Sequence, residues 1–440
     1  PDRMPPMSKR RTIVGLDIGS HGIKAAWVTL RPGGPAVTRT ELLHIPLNEQ
    51  NPDRLIGPWL ETTGISRLPC ALGVPGRDTV FQSFQLPAED PRNMAQAAEM
   101  EVAKFNDIAS ETMSYGYAPF APQAEGEEKP DRRLLVIMTR PTVLDSLLNR
   151  AEHDGINTVE LIPTPVALYN AVRAAAGRDH AQVEVLVNIG HTHTEVAIGS
   201  SDGMLFARSF RCGGVNFTEA LRAGNGMSLS QADTFKITKT ALDGADTETV
   251  AKLRPVADLW VREVQNCISA FRNQVRNDAL MPDRIRLMGG GSLLGGMAGA
   301  LREATGLRVA GAEESVGNLL PRKPEHVAVA AGLGITALEA GHANVSLLPE
   351  YVRHELVFRS KKPYWIASGV AIALALGIVV VGGIRAIGRQ SKRLERAEQV
   401  VTDLRRLAKR IEQREARIER LREQCRPLRD LREMGPRYRE

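Results

Sequence analysis

An uninterrupted apolar run near the C-terminal end constrains this chain more than any other feature. Residues 363–384 contain no charged side chain, and at about 1.5 Å of helical rise per residue they are long enough to cross the ~30 Å hydrocarbon layer of a bilayer. Tyr364 and Trp365 lie where interfacial aromatic anchors are found. Basic residues flank the run on both sides: Lys361, Lys362, Arg385 and Arg389. A buried core helix is the alternative, but the length and the flanks favour one transmembrane helix over residues 363–385.

The net charge is unevenly distributed along the chain. The whole sequence carries +6, whereas residues 385–440 contain 18 Lys and Arg against 10 Asp and Glu, which is +8 and leaves −2 for the residues before them. A nearly neutral head gives no support for a nucleic-acid-binding surface. We therefore expect no nucleic acid among the partners.

Cysteine usage and the N-terminal residues indicate the compartment. The cysteines, Cys70, Cys212, Cys267 and Cys425, show no CxxC spacing, which is typical of reduced residues in a cytosolic domain. Residues 1–10 are polar, and we expect them to be disordered rather than to form a signal peptide. The sequence therefore predicts a cytoplasmic head and a tail on the other side of the membrane.

Two glycine-cornered hairpins are predicted in the head. Residues 12–17 (TIVGLD) form an apolar strand that leads into Ile-Gly-Ser-His-Gly and a second strand at residues 23–30. Residues 183–189 (VEVLVNI) repeat this pattern with Gly-His-Thr-His-Thr and strands over residues 195–199 and 204–210. A hairpin differs from the strand–turn–helix of a Rossmann or P-loop unit, yet glycine lets backbone N–H groups approach an anion. The two copies suggest an internal duplication.

A third glycine turn lies late in the head. Residues 285–288 (IRLM) precede Gly-Gly-Gly-Ser, and the pattern that follows predicts a helix over residues 293–305. A strand that ends in a glycine turn at a helix N-terminus suits a phosphate or an adenosine group.

The three glycine turns resemble the phosphate-one, phosphate-two and adenosine motifs of the superfamily of actin, heat-shock chaperones and sugar kinases. They read GLDIGSHGIKAAWV, VLVNIGHTHTEVAIGSSDG and RLMGGGSLLGGM. Over residues 11–340 the chain is more closely similar to the PilM family, the actin-like cytoplasmic proteins of type IV pilus assembly, themselves similar to FtsA. This resemblance implies an α/β, two-lobed actin-like ATPase fold with an inserted α+β subdomain at about residues 72–154, then one transmembrane helix and a coiled-coil helix.

The resemblance also implies a nucleotide site that takes ATP or ADP, with Mg²⁺ as a candidate companion. Asp17 would face the metal or its water shell. On the first hairpin the phosphate-lining residues would be Gly19, Ser20, His21 and Lys24. On the second hairpin they would be Gly190, His191 and Thr192, and Asn188 would also belong to the nucleotide site. The nucleoside would be contacted by Asp233 and Lys236 and held from the second lobe by Gly289, Gly290, Gly291 and Ser292.

The second hairpin departs from the family at one position. The family carries an Asp before Ile-Gly, where this chain has Asn188. A neutral amide cannot anchor a hydrated cation as a carboxylate does. Asp233 also replaces the usual Glu. We therefore expect nucleotide binding with weak or absent hydrolysis and no catalytic residue, while an ATP-hydrolysing enzyme stays open as the alternative.

Several of these residues also have plainer explanations. His191 and His193 are two positions apart in a predicted turn, where solvated side chains are common. Lys24 on the second strand could be an ordinary edge-strand lysine. Asp17 is the residue least open to such a reading.

Residues 72–154 form a separate predicted unit within the head. Strand patterns alternate with helix patterns, and a charged stretch lies between them as a solvated loop. The strands fall at residues 80–87 and 134–140, the helices at residues 91–105 and 142–153, and the loop at residues 122–133.

An extended apolar segment follows the head. Residues 344–349 (NVSLLP) resemble the Asn-Leu-Leu-Pro signature at the cytoplasmic tip of PilN, the membrane partner of PilM, and this tip docks into a groove on the actin-like head in that family. The docking residues would be Asn344, Val345, Leu347, Leu348 and Pro349. A plain linker over residues 341–362 is the alternative. The whole chain looks like PilM joined to the start of PilN, and GspL of type II secretion has a similar layout.

Apolar residues alternate at spacings of three and four along the tail. This is the a/d pattern of a coiled coil, which we expect over residues 386–431, with a short end at residues 432–440. The predicted seam contains Ala397, Val400, Leu404, Leu407, Ile411, Arg414, Ile418, Leu421, Cys425 and Leu428.

Together these observations favour a membrane-tethered actin-like scaffold in a type IV pilus assembly platform, the machinery of twitching motility. The expected location is the bacterial inner membrane, crossed once, with the head cytoplasmic and the coiled coil periplasmic. The expected partners are a PilN-type peptide in cis or in trans, a PilO-like coiled-coil helix, other platform and motor components, and further copies of the chain. A GspL-like platform protein and an FtsA-like divisome tether are alternatives, although the latter usually anchors by a helix that lies on the membrane.

Overall fold

The computed structural model describes residues 12–49, 51–85, 93–109, 112–120, 133–176 and 182–434. The expectations for residues 1–10, for most of the loop at residues 122–133 and for residues 435–440 fall outside these ranges. The strands are β1 (Thr12–Gly19), β2 (Gly22–Arg31), β3 (Gly34–His44), β4 (Cys70–Val74), β5 (Thr79–Gln85), β6 (Ser114–Phe120), β7 (Arg133–Thr139), β8 (Thr158–Pro163), β9 (Glu184–Ile189), β10 (Thr194–Ser200), β11 (Gly203–Phe210), β12 (Arg284–Met288) and β13 (Arg308–Ala310). The helices are α1 (Asp53–Thr63), α2 (Asn93–Ala109), α3 (Pro141–His153), α4 (Thr164–Ala176), α5 (Gly214–Asn225), α6 (Leu229–Lys239), α7 (Thr247–Val275), α8 (Met297–Thr305), α9 (Ala312–Val316), α10 (Pro324–Ala337) and α11 (Glu350–Met434).

Two five-stranded sheets of the same topology form the two lobes of the head. The first has the order β3-β2-β1-β4-β8 and the second the order β11-β10-β9-β12-β13. In each sheet three antiparallel strands are followed by two parallel additions. The two predicted hairpins are β1–β2 and β9–β10, so the repeated sequence pattern corresponds to a repeated arrangement in space.

A third, three-stranded sheet is inserted between β4 and β8. Its order is β5-β7-β6, and both pairs are antiparallel. Helix α2 packs on β7 through a small cluster that includes Ala98, Val102 and Val136. β4 itself pairs with β1 in the first sheet, and Leu144 of α3 belongs to the core of that lobe. The inserted sheet therefore runs from Thr79 to Thr139.

Helices α4 and α10 carry much of the core of the first lobe. Every residue of α10 from Val327 to Ala337 is buried, because the sequence there is almost entirely small and apolar. A second cluster fills the other lobe around Trp260 and Phe271 of α7. The apolar residues of α7 recur every three or four positions, which places them on one side of the helix.

The chain divides into two compact units after Val357, and the described residues of the second unit, 358–434, belong to α11. This helix begins at Glu350, so residues 350–362 are helical within the range expected to be a linker. Its stretch Tyr364–Arg426 contains a window with mean hydropathy 2.4, long and apolar enough by length and composition to cross a membrane. The seam positions whose side chains are described, such as Leu404 and Ile411, are exposed.

Candidate functional site

A cavity of about 370 Å³ lies where the three glycine turns of the head meet. This volume is within the range of small-molecule sites. It is lined by all but one of the predicted nucleotide-site residues: Asp17, Gly19, Ser20, His21, Lys24, Asn188, Gly190, His191, Thr192, Asp233, Lys236, Gly289, Gly290 and Gly291. Ser292 does not line it, but its hydroxyl donates to the carbonyl of Gly289 at 2.7 Å. The cavity thus collects residues that are far apart in the sequence.

The first hairpin supplies an ion pair. Asp17 on β1 and Lys24 on β2 are direct cross-strand partners, and Lys24 Nζ lies 3.1 Å from Asp17 Oδ2. Both side chains are about four-fifths buried. Lys24 is therefore part of the cavity wall and not an edge-strand lysine in solvent.

Stacked imidazoles lie between the two hairpins. The rings of His21 and His191 are nearly parallel with centroids 4.7 Å apart, and the ring of His44 meets His21 edge-on at 4.3 Å. Among the residues that the structure describes, none offers a hydrogen bond to the buried Nδ1 of His21. Burial, and then the nearby His191 and His44, lower the pKa of His21 to about 4. His21 and His191 are therefore neutral at pH 7, and His191 is part of the cavity wall and not a solvated turn histidine.

This arrangement predicts a pH dependence of stability that His21→Asn should reduce. The imidazole has its ordinary pKa of 6.5 when unfolded and a pKa of about 4 when folded, so below pH 6.5 the unfolded chain binds a proton that the folded chain does not. The stabilisation is present above pH 6.5 and is lost as the pH falls towards 4. Between pH 7 and pH 5 we expect the free energy of unfolding to fall by roughly 2 kcal/mol from His21 alone.

Urea denaturation of the ligand-free chain at pH 5, 6 and 7 measures this loss. The His21→Asn variant should show a shallower dependence of unfolding free energy on pH, because it lacks the His21 contribution. The dependence should not vanish, because His191, His193 and His326 keep their lowered pKa values. The exposed His354 is the matched control, and His354→Asn should change the slope less than His21→Asn does. A wild-type slope in His21→Asn would contradict the prediction.

The second hairpin contributes a carboxylate that the sequence analysis missed. Glu195 on β10 is the direct cross-strand partner of Asn188 on β9. Its Oε1 accepts hydrogen bonds from the Gly76 backbone N–H at 2.8 Å and the Thr164 hydroxyl at 2.6 Å. Its Oε2 accepts from Asn188 Nδ2 at 3.3 Å. Burial raises the pKa of Glu195, against the opposing effect of these donors.

A hydrogen-bonded network on α5 and α6 closes another wall of the cavity. Lys236 Nζ donates to Asp233 Oδ1 at 2.7 Å, to the Thr218 hydroxyl at 2.7 Å and to the Gly214 carbonyl at 3.1 Å. Burial favours the neutral form of Asp233, but the hydrogen bond and the charge of Lys236 outweigh it and lower the pKa of the carboxyl. Asp233 Oδ2 lies 3.7 Å from His21 Nε2, so the network reaches the first hairpin.

The third glycine turn packs directly on the second hairpin. Gly289 has φ +88°, and a Cβ there would lie 2.3 Å from the Ile189 carbonyl oxygen and 2.6 Å from Asn188 Oδ1, so only glycine fits. The expected helix over residues 293–305 starts later, at Met297. A short 3₁₀ turn (Gly290–Leu293) and a left-handed Gly296 intervene, because Gly295 forms a bridge with Ala241.

The donor set fits a phosphate ligand better than a metal cage. Backbone turns at Gly19 and Gly190 and the two lysines, Lys24 and Lys236, are groups that bind anions. Within the described ranges, no group of three or more His, Cys, Asp and Glu is arranged to hold a metal ion. Mg²⁺ commonly uses one or two carboxylates together with phosphates and water, so the role of Asp17 towards Mg²⁺ stays a prediction.

Several cavity residues were not foreseen from the sequence. They are His44, Pro75, Arg77, Thr164, Glu195, Gly214 and His326. The sequence offered a clue to two of them. Glu195 is the only charged residue in β10, and the pairing of β3 with β2 places His44 opposite Gly22. The others reach the cavity through tertiary packing alone.

Residues 343–349 lie against the head without regular secondary structure. Val345, Leu347 and Leu348 are buried, Pro349 is half-buried and Asn344 is exposed. The Leu347 N–H donates to the Leu161 carbonyl at 2.8 Å. Leu161 belongs to β8, which is an edge strand of the first sheet. The segment therefore continues that edge by a main-chain hydrogen bond and buries its apolar side chains.

Polar contacts fix this docking segment, residues 343–349, at its start and at its middle. The buried Asn170 of α4 donates to the Ala343 carbonyl at 2.7 Å and accepts from the Ala343 N–H at 2.9 Å. The Ser346 hydroxyl donates to Glu160. On the inserted sheet, a Cβ at Gly116 would lie 2.7 Å from Val345 Cγ1. The groove is therefore formed by α4, β8 and β6 together.

Comparisons with known proteins agree with this architecture. A family model described as type IV pilus assembly protein PilM matches residues 15–323. A solved chain of a PilM-PilN type IV pilus biogenesis complex is 22% identical, with 74% of this chain and 98% of that chain covered and a TM-score of 0.58. No curated protein matches the sequence.

More distant solved structures are also similar. MreB 5 of Spiroplasma citri bound to AMPPNP is 12% identical, with 74% of this chain and 95% of that chain covered and a TM-score of 0.43. The cytoplasmic domain of EpsL, an inner membrane component of the type II secretion system of Vibrio cholerae, is 10% identical, with 49% and 77% covered and a TM-score of 0.29. The expected actin-like fold is confirmed. Because the family model covers more than half of its residues, this chain belongs to the PilM family of type IV pilus assembly proteins.

Proposed function

We propose that this PilM-family chain is a nucleotide-binding scaffold of the inner-membrane assembly platform. One observation carries the proposal: three glycine turns and two ion-paired lysines converge on a single cavity between the lobes. Backbone N–H groups and ammonium groups recognise phosphate. ATP or ADP, with Mg²⁺ as a companion, is the ligand class that this arrangement suits.

Lysine substitution tests the nucleotide site. Loss of Lys24 removes a cation near the phosphates and leaves Asp17 unpaired, so Lys24→Gln should weaken ATP binding about tenfold or more. Titration calorimetry of the full chain in detergent, with and without Mg²⁺, measures this. Lys104→Gln on the exposed side of α2 is the matched control and should bind as the wild type does. Failure of the wild type to bind ATP or ADP at millimolar concentration would contradict the proposal.

The docking segment supports a PilN-type contact within the chain. Its buried Val345, Leu347 and Leu348 and its bond to the edge of β8 have the character of a peptide–groove interface. A solved PilM-family complex contains PilN as partner. We infer that the same groove accepts a PilN-type segment in cis here, and in trans when this segment is displaced.

The apolar run in α11 supports membrane tethering. Tyr364–Arg426 contains the only window of the described helices that is long and apolar enough to span a bilayer. We infer a single inner-membrane span, with the head in the cytoplasm and the remaining helix in the periplasm. The exposed seam of that helix favours a coiled-coil partner, a PilO-like helix or a second copy.

Charges on the seam should abolish association of the tail. Leu404→Glu with Ile411→Glu places carboxylates at successive a positions, where burial of a charge costs several kcal/mol, so we expect association to weaken at least 100-fold. Thr402→Glu with Ala416→Glu adds the same charge off the seam and is the matched control. Sedimentation of the chain in detergent, alone and with candidate partners, gives the readout, and unchanged association of the seam variant would rule out the seam.

A further inference from the structure

The two hairpins carry cross-strand pairs at equivalent positions but with the acid on opposite strands. Each hairpin has an acid or amide residue, then Ile-Gly, and a polar partner seven residues later. In the first hairpin the acid is Asp17, on the first strand, paired with Lys24. In the second hairpin the first strand has Asn188, and the acid is its partner Glu195. The second lobe therefore has a cavity carboxylate, displaced by one strand.

Hydrogen bonds hold this carboxylate in one orientation. Oε1 of Glu195 is occupied by the Gly76 N–H and the Thr164 hydroxyl. Oε2 receives a single bond, the 3.3 Å contact with Asn188 Nδ2. A carboxylate has about four acceptor positions, so Oε2 keeps capacity for another donor. Because Glu195 lines the cavity, that donor can be a water beside a bound ligand.

The identity of residue 188 suits this arrangement. An aspartate at Asn188 would set a second carboxylate against Glu195, and like charges at this distance cannot both stay ionised readily. The amide donates a hydrogen bond instead and fixes Oε2. Its own Oδ1 is turned to the third glycine turn, 2.6 Å from the position of a Cβ on Gly289.

We propose that Glu195 is the base that orients and deprotonates a water for attack on the terminal phosphate of a nucleoside triphosphate in the cleft, with Asn188 as its positioning residue. This inference rests on the proposed nucleotide site. The water oxygen forms a bond to the γ-phosphorus, and the bond from that phosphorus to the bridging oxygen of the β-phosphate breaks. Glu195 takes the proton of the water and returns it to the released phosphate. The products are a nucleoside diphosphate and inorganic phosphate.

Glu195→Gln is the discriminating variant, because glutamine keeps the size of the side chain and an acceptor for Gly76 and Thr164. Turnover of ATP by the full chain in detergent should fall about 10²–10³-fold, the range expected for loss of a general base. The dissociation constants of ATP and ADP should change less than about threefold. A second readout needs no turnover, because ADP with aluminium fluoride mimics the attacked phosphate. The wild type should bind this mimic more tightly than ADP alone, whereas the variant should bind the two equally.

A swapped pair tests the position of the charge. Asn188→Asp combined with Glu195→Gln keeps one carboxylate and one amide in hydrogen-bond contact, so thermal unfolding should stay near that of the wild type. Turnover should stay as low as in Glu195→Gln, since the carboxylate has moved by one strand. Restored turnover in the swapped pair, or wild-type turnover in Glu195→Gln, would overturn the assignment.

The wild type alone shows whether the cleft hydrolyses the nucleotide, whatever the variants' stability. Tight binding of ADP with aluminium fluoride together with turnover is the result that the inference requires, and loss of both in Glu195→Gln assigns the base. Binding of ATP without turnover and without the extra affinity for the mimic overturns it and leaves the scaffold proposal intact. Absence of ATP and ADP binding overturns the proposed nucleotide site itself.

Discussion

Replacing both Leu347 and Leu348 with aspartate is expected to release residues 343–349 from the head. Each leucine is at most 4% exposed, and burial of a leucine side chain contributes about 1.5–3 kcal/mol. Two buried carboxylates cannot be accommodated in an apolar groove, so the segment would leave it. Because tenfold in an opening equilibrium corresponds to about 1.4 kcal/mol, proteolysis near Asn344 should accelerate by about 10² or more.

Limited proteolysis with mass spectrometry of the fragments measures this release. His342→Asp with Asn344→Asp adds the same charge at two exposed neighbours and should leave cleavage unchanged. Gly116→Val changes the groove instead of the segment. Its side chain would meet Val345 Cγ1 and the Ser346 carbonyl, so it should also accelerate proteolysis near Asn344. A fluorescent peptide of residues 341–351 should bind the double aspartate variant and not the wild type. Wild-type cleavage kinetics in that variant would show that the leucines do not hold the segment.

Replacing Glu184 with alanine is expected to cost the second lobe about 3–5 kcal/mol of unfolding free energy. Glu184 on β9 is 1% exposed and pairs with Arg173 of α4 and with Arg286 of β12, whose Nη2 lies 2.7 Å from Oε1. Removal of one partner leaves buried guanidinium groups without their counter-ion, which is the costly way to break such a pair. β9 also carries Asn188, so the cavity should loosen with it.

Urea denaturation of the full chain, followed by near-ultraviolet circular dichroism, measures the loss. Glu219→Ala breaks the exposed pair with Arg222 on α5 and is the matched control; exposed pairs contribute about 0–1 kcal/mol. Nucleotide affinity of Glu184→Ala should fall together with stability. A loss no larger than that of Glu219→Ala would mean that the buried cluster is energetically neutral.

The strand pattern and the glycine turns were predictable because they depend on local sequence. Alternating and continuous apolar runs locate β1, β2 and β9 to β12 within a residue or two. The repeated Ile-Gly motif predicted which turns line the cavity. Helix α8 was expected four residues too early because nothing in residues 293–296 reveals the bridge between Gly295 and Ala241. Local propensity cannot register a contact with a distant loop.

The missing parts of the site share one cause: they are defined by tertiary packing. Glu195 is unremarkable as a sequence letter and becomes informative only when Gly76 and Thr164, from the first lobe, converge on its carboxylate. His326 reaches the cavity on α10, far from every glycine turn in sequence. The docking segment was expected from its resemblance, whereas Asn170, which holds Ala343 through both of its backbone groups, was not.

The covalent continuity of groove and docking segment has a consequence for how the contact responds to concentration. A free peptide leaves its groove on dilution, whereas residues 343–349 remain at millimolar effective concentration for as long as the chain is intact. The fraction of grooves occupied by the segment is therefore independent of protein concentration, and each head has one tethered segment. A competing peptide of equal affinity must exceed that local concentration before it displaces the segment, and a tighter-binding peptide needs proportionally less. We therefore expect only high-affinity or multivalent partners to displace the segment.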